Sequence, residues 1–163
     1  MPAELGPPTK SARPAAKSGF SSDEAALAAA SRAYGRYLEV LDGLSAPEDV
    51  GRLGEVATPD YAEELESSLA GLLSEGRRFE GQSSFDSMRV FERWSQRGVE
   101  FVSTYVCFDS SGVRVLDASG ADVTPPDRID RLPAVVRFQS APDDRWRLIA
   151  KGSDAWRGND FCN

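Results

Sequence analysis

The residues of this chain that could carry out chemistry are its carboxylates and thiols, because it contains no histidine. Without histidine there is no usual base for a nucleophilic serine and no aspartate–histidine proton carrier. The motifs G-x-S-x-G, G-x-G-x-x-G and the P-loop are also absent from the sequence. A lone carboxylate can still act as a base if burial raises its pKa. Asp86 and Glu100, in predicted strands, are the candidate buried carboxylates, but strand carboxylates usually face solvent, and we predict no catalytic residue.

The two cysteines, Cys107 and Cys162, leave three interpretations open: a disulfide, two buried thiols, or one reactive thiol. Neither belongs to a C-x-x-C pair, and a zinc site would need more ligands, so we predict no metal and no cofactor. Cys107 lies in an apolar strand, which raises the pKa of a thiol and makes it unreactive. Cys162 is the penultimate residue, where a chain frays unless it is attached. We therefore favour the disulfide, which implies an oxidising compartment.

Six aromatic side chains are the candidate lining of a pocket. Core packing explains most of such a set, and a ligand cavity or a dimer face would explain the rest. They are Tyr34, Tyr37, Phe91, Trp94, Phe101 and Tyr105.

The net charge of −7, from 26 acidic and 19 basic residues, argues against two classes of partner. Proteins that hold nucleic acids neutralise phosphates with lysine and arginine, and no basic face is evident in the sequence. The same charge argues against attraction to an anionic membrane surface. No apolar run reaches the length of a membrane span, and no signal peptide follows Met1. Membrane attachment would therefore require an anchor upstream of this chain.

The chain divides into a leader at residues 1–20 and one domain at residues 21–163. The leader is rich in proline, alanine and serine, which is typical of a flexible tether. Ser21 and Glu24 have the spacing of a capping box, so the first helix begins there and ends near Gly43. A short helical turn follows at residues 47–55. Thr58 and Pro59 then start a second helix, which Gly76 ends.

After Gly76 the apolar period changes from 3.6 to 2, which predicts strands. The predicted strands are residues 85–94, 99–109, 113–116, 133–139 and 145–151, with a hairpin loop at 109–112. The aromatic residues of the tail predict that it folds back onto the domain. Helices followed by antiparallel strands indicate the α+β class. We predict two to three N-terminal helices packed on a curved antiparallel sheet.

This order of elements resembles the cone-shaped nuclear-transport-factor-2-like superfold over about residues 22–151. Some members of that superfold are isomerases or dehydratases with a pocket between helices and sheet. The resemblance implies such a pocket here, and a small-molecule pocket protein or an isomerase-like enzyme is our alternative prediction.

A second resemblance covers the later part of the chain. The segments Val113 to Gly120, Arg128-x-x-Arg131-x-Pro133, Tyr105-Val106-Cys107 and Trp156 to Cys162 are similar to those of small exported proteins and lipoproteins of actinobacteria. The resemblance implies an extracytoplasmic location and a Cys107–Cys162 bridge, and it implies no activity. We therefore predict a non-catalytic interaction domain, secreted or tethered at the cell envelope. Its partner would be a protein, a small apolar ligand or a second copy of the chain.

Overall fold

The computed structural model describes residues 17–162, which form two α-helices, a 3₁₀ helix and six strands. The helices pack on an antiparallel sheet, so the predicted α+β class is confirmed. The elements are α1 (Asp23–Asp42), the 3₁₀ helix (Pro47–Glu55), α2 (Pro59–Ser74), β1 (Arg78–Gly81), β2 (Ser84–Gln96), β3 (Val99–Asp109), β4 (Val113–Leu116), β5 (Arg131–Ala141) and β6 (Asp144–Ala155).

The main sheet has the order β2-β3-β5-β6, with antiparallel neighbours throughout. Register shifts in β2, at Asp86–Arg89 and Val90–Glu92, and another in β6, between Ala150 and Gly152, mark β-bulges. Ser87, at the first bulge, has a φ of 58°. Because a bulge bends its strand and increases the local twist, these positions curve the sheet around α1.

Alternate residues of each strand define two faces of this sheet. The inner face lies against α1 and carries core residues such as Val102, Val106 and Phe138. The outer face carries Phe101, Tyr105 and Cys107, which lie outside that core cluster.

The α1 helix changes from small to large buried side chains along its length. Ala26, Ala30 and Ala33 are buried in its first half, and Tyr34 and Tyr37 follow. The distance between packed elements depends on the side chains between them, so the alanines permit close contact and the tyrosines hold helix and sheet apart. This gradient produces a wedge that widens toward the C-terminal half of α1.

The helix caps follow the sequence with one correction. The α1 cap is Ser22, whose side chain accepts a hydrogen bond from the amide of Ala25 (3.1 Å), and the predicted box at Ser21 is one residue early. Serine is a favoured N-cap residue at either position, and only the backbone conformation at the helix start distinguishes the two. The α2 cap is Thr58, followed by Pro59, as predicted.

The β4 strand has a different partner from the predicted one. It pairs with β1 in a separate two-stranded sheet, and not with β3 in a hairpin. Arg128 donates hydrogen bonds to the carbonyls of Val113 (2.8 Å) and Ser110 (2.9 Å), which fixes the start of β4. The short, charged β1 was missed because its four residues give little alternation of apolar side chains.

The end of the predicted leader packs on the domain. Residues 1–16 of that leader lie outside the described residues, whereas Lys17 to Phe20 contact the sheet. Ser95 Oγ donates to the carbonyl of Lys17 (2.8 Å), and the Phe20 ring meets Trp146 edge-on at 5.3 Å. Residues 17–20 of the predicted leader therefore pack on the domain, because Ser18 and Phe20 contact residues that are distant in sequence.

Candidate functional site

An apolar cleft opens at the wide end of the wedge, between α1 and the inner face of the sheet. Its volume is about 220 Å³. The tyrosines hold this end of α1 away from β5 and β6, and the short side chains of Ala134, Ser153 and Ala155 leave the space unfilled. The lining residues are Tyr34, Tyr37, Leu38, Leu41, Phe108, Leu132, Pro133, Ala134, Ser153 and Ala155.

The lining residues of the cleft with polar side chains are Tyr34, Tyr37 and Ser153. The hydroxyls of Tyr37 and Tyr61 share a hydrogen bond of 3.0 Å, and the two rings stack. Burial, followed by the proximity of Tyr61, raises the pKa of both Tyr34 and Tyr37 above the ordinary value for tyrosine. These hydroxyls therefore remain protonated at neutral pH and can donate or accept a hydrogen bond. Among the described lining residues none is a carboxylate or a cysteine.

The six aromatic residues predicted to line one pocket lie on both sides of the sheet. Tyr34 and Tyr37 line the cleft. On the outer face Phe91 stacks on Tyr105 with ring centroids 4.6 Å apart, and a second stack, Trp94 on Phe101, has a spacing of 4.2 Å. The prediction of a single pocket was wrong because aromatic content does not reveal which face a bulged strand presents.

The tail covers part of the outer face, as its aromatic residues predicted. The rings of Trp156 and Phe161 meet Tyr105 edge-on, at 6.3 Å and 5.5 Å. Arg89 lies over the Tyr105 ring at 5.2 Å. These contacts make Tyr105 almost fully buried, although it points away from the core.

A disulfide joins Cys107 to Cys162, with Cα atoms 5.5 Å apart, and fastens the tail to β3. Arg131, Pro133 and Trp156, which belong to segments of the second resemblance, lie beside it. Arg131 donates to the carbonyl of Cys162 (2.8 Å), and the amide of Trp156 donates to the carbonyl of Pro133 (2.9 Å). These residues therefore form one structural attachment of the tail.

Glu100 is a buried carboxylate, as predicted, with an exposed fraction of 0%. Oε1 accepts hydrogen bonds from Ser18 Oγ (2.7 Å) and the Gly19 amide (2.8 Å), and Oε2 accepts two from Arg145 (2.6 and 3.0 Å). All four bonds hold the carboxylate in place, so its role is to fasten the N-terminal segment and the β5–β6 hairpin. Sequence reasoning missed Ser18 and Arg145, and no local pattern marks either.

Asp86 is not buried, since 52% of its side chain is exposed on the outer face. It forms a two-point ion pair with Arg131, at 2.6 and 2.8 Å. Hydrogen bonding from Arg131 is the largest cause that lowers the pKa of Asp86 to about 2. The prediction of burial failed because Asp86 lies on the outer face, where its partners are Arg131 and Ser87 and 52% of its side chain stays exposed.

The pair between Asp86 and Arg131 predicts a pH dependence of stability. The pKa of Asp86 falls from 3.8 to about 2 on folding, so the pair stabilises the fold above pH 3.8 and this contribution disappears as the pH falls toward 2. We expect the urea midpoint of Asp86→Asn to fall less than that of the wild type as the pH is lowered from 3.8 toward 2. Asp127→Asn, with the same charge change in an exposed loop, is the control. Identical profiles for the wild type and D86N would contradict the assignment.

Comparisons with known proteins give a likeness of fold. No family model matches the chain, and no curated protein matches it. Among solved structures it is similar to the crystal structure of the intermembrane space region of chloroplast protein ARC6, with 9% identity and a TM-score of 0.55. The match covers 79% of this chain and 95% of that chain. At this identity the likeness shows a shared α+β fold alone.

None of the helices in residues 17–162 is long and apolar enough to cross a membrane. The same residues contain no group of three or more histidine, cysteine, aspartate or glutamate side chains placed to hold a metal ion.

Proposed function

We propose that this chain is a non-catalytic binding domain that takes an apolar group of a partner protein into the cleft. The cleft is the observation that carries the proposal: an opening of about 220 Å³ with a mainly apolar lining. Pockets for small molecules usually have volumes of about 300 to 1,000 Å³. The cleft therefore suits one apolar side chain, such as leucine or phenylalanine, better than a whole small-molecule ligand or cofactor.

The alternative of an isomerase-like or dehydratase-like enzyme would need an acid or base, and the described residues that line the cleft include no carboxylate. The raised pKa values of Tyr34 and Tyr37 oppose proton removal by either hydroxyl. Glu100 cannot act as the base, because it stands eight residues from the cleft residue Phe108 on β3, about 26 Å away at 3.3 Å per residue. Its oxygens also accept hydrogen bonds from Ser18, Gly19 and Arg145.

The proposed location is outside the cytoplasm, in a secreted or envelope-tethered protein like the exported actinobacterial proteins that the chain resembles. The disulfide supports this location, because disulfides persist in oxidising compartments. The proposed partner is a protein with an accessible apolar side chain.

Toluene, which has the shape of a phenylalanine side chain, tests the cleft directly. We expect it to shift the NMR methyl signals of Leu38, Leu41 and Leu132, because these side chains line the cleft. Burial of one such group contributes about 2 to 3 kcal/mol, so the dissociation constant should lie in the millimolar range or above. The measurement is a titration followed by two-dimensional NMR.

A matched pair of variants separates the cleft from general apolar binding. Ala155→Leu fills the cleft from its exposed rim and should abolish the shifts. Ala121→Leu adds the same side chain at an exposed turn and should leave them unchanged. Shifts that persist in A155L, or that spread over the outer face, would refute the assignment of the cleft.

A further inference from the structure

Three arginines from two elements meet in one groove beside α1. Arg32 and Arg36 stand one helical turn apart on α1, and Arg147 is contributed by β6. Helical periodicity places the two α1 arginines on the flank away from Leu38 and Leu41, so this groove is separate from the apolar cleft. The arginine groove has a volume of about 300 Å³ and is lined by Ala29, Arg32, Arg36, Asp144, Trp146, Arg147 and Leu148.

The positive charges of this groove are poorly neutralised. Within residues 17–162 neither Arg32 nor Arg36 forms an ion pair, and Arg36 makes one long hydrogen bond of 3.4 Å to the carbonyl of Leu148. Arg147 pairs with Asp143, whose side chain is 76% exposed. Like charges one turn apart destabilise a helix. Three guanidinium groups therefore share one groove of a chain of net charge −7, and within residues 17–162 Arg147 alone among them forms an ion pair.

One carboxylate lines the arginine groove, and two more lie in a depression beside it. Asp144 lies in its lining and accepts a hydrogen bond from the amide of Trp146 (2.9 Å), so one of its oxygens is used within its own turn. An adjoining depression shares Arg36 and Arg147 and adds Arg52, together with Glu39 and Glu55. The strongest positive field is therefore expected at the end near Arg32, away from the two glutamates.

An aromatic ring and a strand edge lie beside the arginines. Trp146 is 47% exposed, although Phe20 packs against it and the Arg145 guanidinium lies over its ring at 4.8 Å. β6 is an edge strand of the main sheet, and its edge is paired at Ala150 with the backbone around Ala57. The carbonyl of Leu148, two residues earlier, faces Arg36. The groove thus combines guanidinium groups, an aromatic surface and a stretch of strand edge, which suits an extended peptide.

We infer that the arginine groove binds an extended acidic segment of a protein partner, with acidic residues at alternate positions. Guanidinium groups bind carboxylates through two parallel hydrogen bonds. One helical turn separates Arg32 from Arg36 by about 6 Å, and alternate residues of an extended strand are about 6.6 Å apart. Carboxylates at every second residue therefore match the spacing of the two arginines.

The overall charge of the chain favours a short acidic segment over a long polyanion. A nucleic acid or a sulfated polysaccharide carries charge along its whole length and would extend over the surrounding acidic surface, which repels it. A peptide segment presents its carboxylates only where the arginines are. The groove therefore favours a short segment that carries carboxylates at alternate residues over a long polyanion.

A short synthetic peptide of alternating glutamate and serine tests the inference by isothermal titration calorimetry at low ionic strength. We expect saturable binding that weakens as salt is added. The double variant R32Q/R36Q should bind about tenfold more weakly, because it loses two charge-assisted pairs. The single variant Arg32→Gln removes one exposed side chain, keeps the hydrogen bond of Arg36, and should show an intermediate loss.

Three comparisons decide the outcome. R77Q/R157Q makes the same change of net charge at exposed residues elsewhere and should alter the affinity by less than about twofold. A peptide with glutamine in place of glutamate should not bind. Equal loss in R77Q/R157Q, binding of the glutamine peptide, absence of any binding, or tighter binding of a sulfated oligosaccharide of matched charge would each overturn the inference.

Discussion

Replacing Cys107 and Cys162 together by alanine is expected to lower the free energy of unfolding by about 4 kcal/mol. The bridge joins residues 55 positions apart, and in the chain-entropy model a crosslink over such a loop removes about that much disorder from the unfolded state. For a chain of this length the loss corresponds to a fall in Tm of about 10 °C. Urea unfolding followed by circular dichroism measures it.

The reduced wild-type protein is the matched control for this prediction, because it breaks the same bond without removing sulfur atoms from the buried position of Cys107. Both proteins should unfold at lower urea than the oxidised wild type. An unchanged midpoint in both would show that the bridge contributes no stability.

The same bond tests the proposed location. Protein isolated from its own cells after alkylation of free thiols should carry no alkyl group on Cys107 or Cys162. Alkylation of both residues would place the chain in a reducing compartment and would contradict the extracytoplasmic proposal, while leaving the proposal of the apolar cleft intact.

Arg145→Ala is expected to cost about 3 kcal/mol of stability. It leaves the fully buried carboxylate of Glu100 without its ionic partner, and breaking a buried ion pair from one side typically costs about 3 to 5 kcal/mol. We take the lower end because 41% of the Arg145 side chain is exposed and water reaches it. Urea unfolding again gives the magnitude.

Arg137→Ala is the control, since Arg137 pairs with Asp154 at the surface and its loss should cost less than about 1 kcal/mol. A second measurement follows the N-terminal segment. Ser18 and Gly19 bind the same carboxylate as Arg145, so trypsin should cleave after Lys17 faster in R145A than in R137A. Equal stability and equal cleavage of the two variants would show that the ion pair between Arg145 and Glu100 does not fasten the N-terminal segment.

Local patterns in the sequence predicted most of the secondary structure. The bounds of β3 and β4 agree with the prediction, because β3 is apolar on both faces and β4 is bounded by turns. Thr58 and Pro59 identified the start of α2, because capping involves residues only a few positions apart. The disulfide was expected from the position of Cys162 and from the resemblance.

The sites depended on contacts between residues far apart in the sequence. Glu100 is held by Ser18, Gly19 and Arg145, which are 82, 81 and 45 positions away, and no periodicity encodes such a set. The division of the aromatic residues between two faces, and the meeting of Arg32 with Arg147, likewise depend on how α1 lies on the curved sheet. Sequence by itself determined most of the helix and strand segments, because capping and the apolar period involve residues only a few positions apart. Tertiary packing decided which side chains became buried, paired or exposed, because burial depends on what the rest of the chain places against each face.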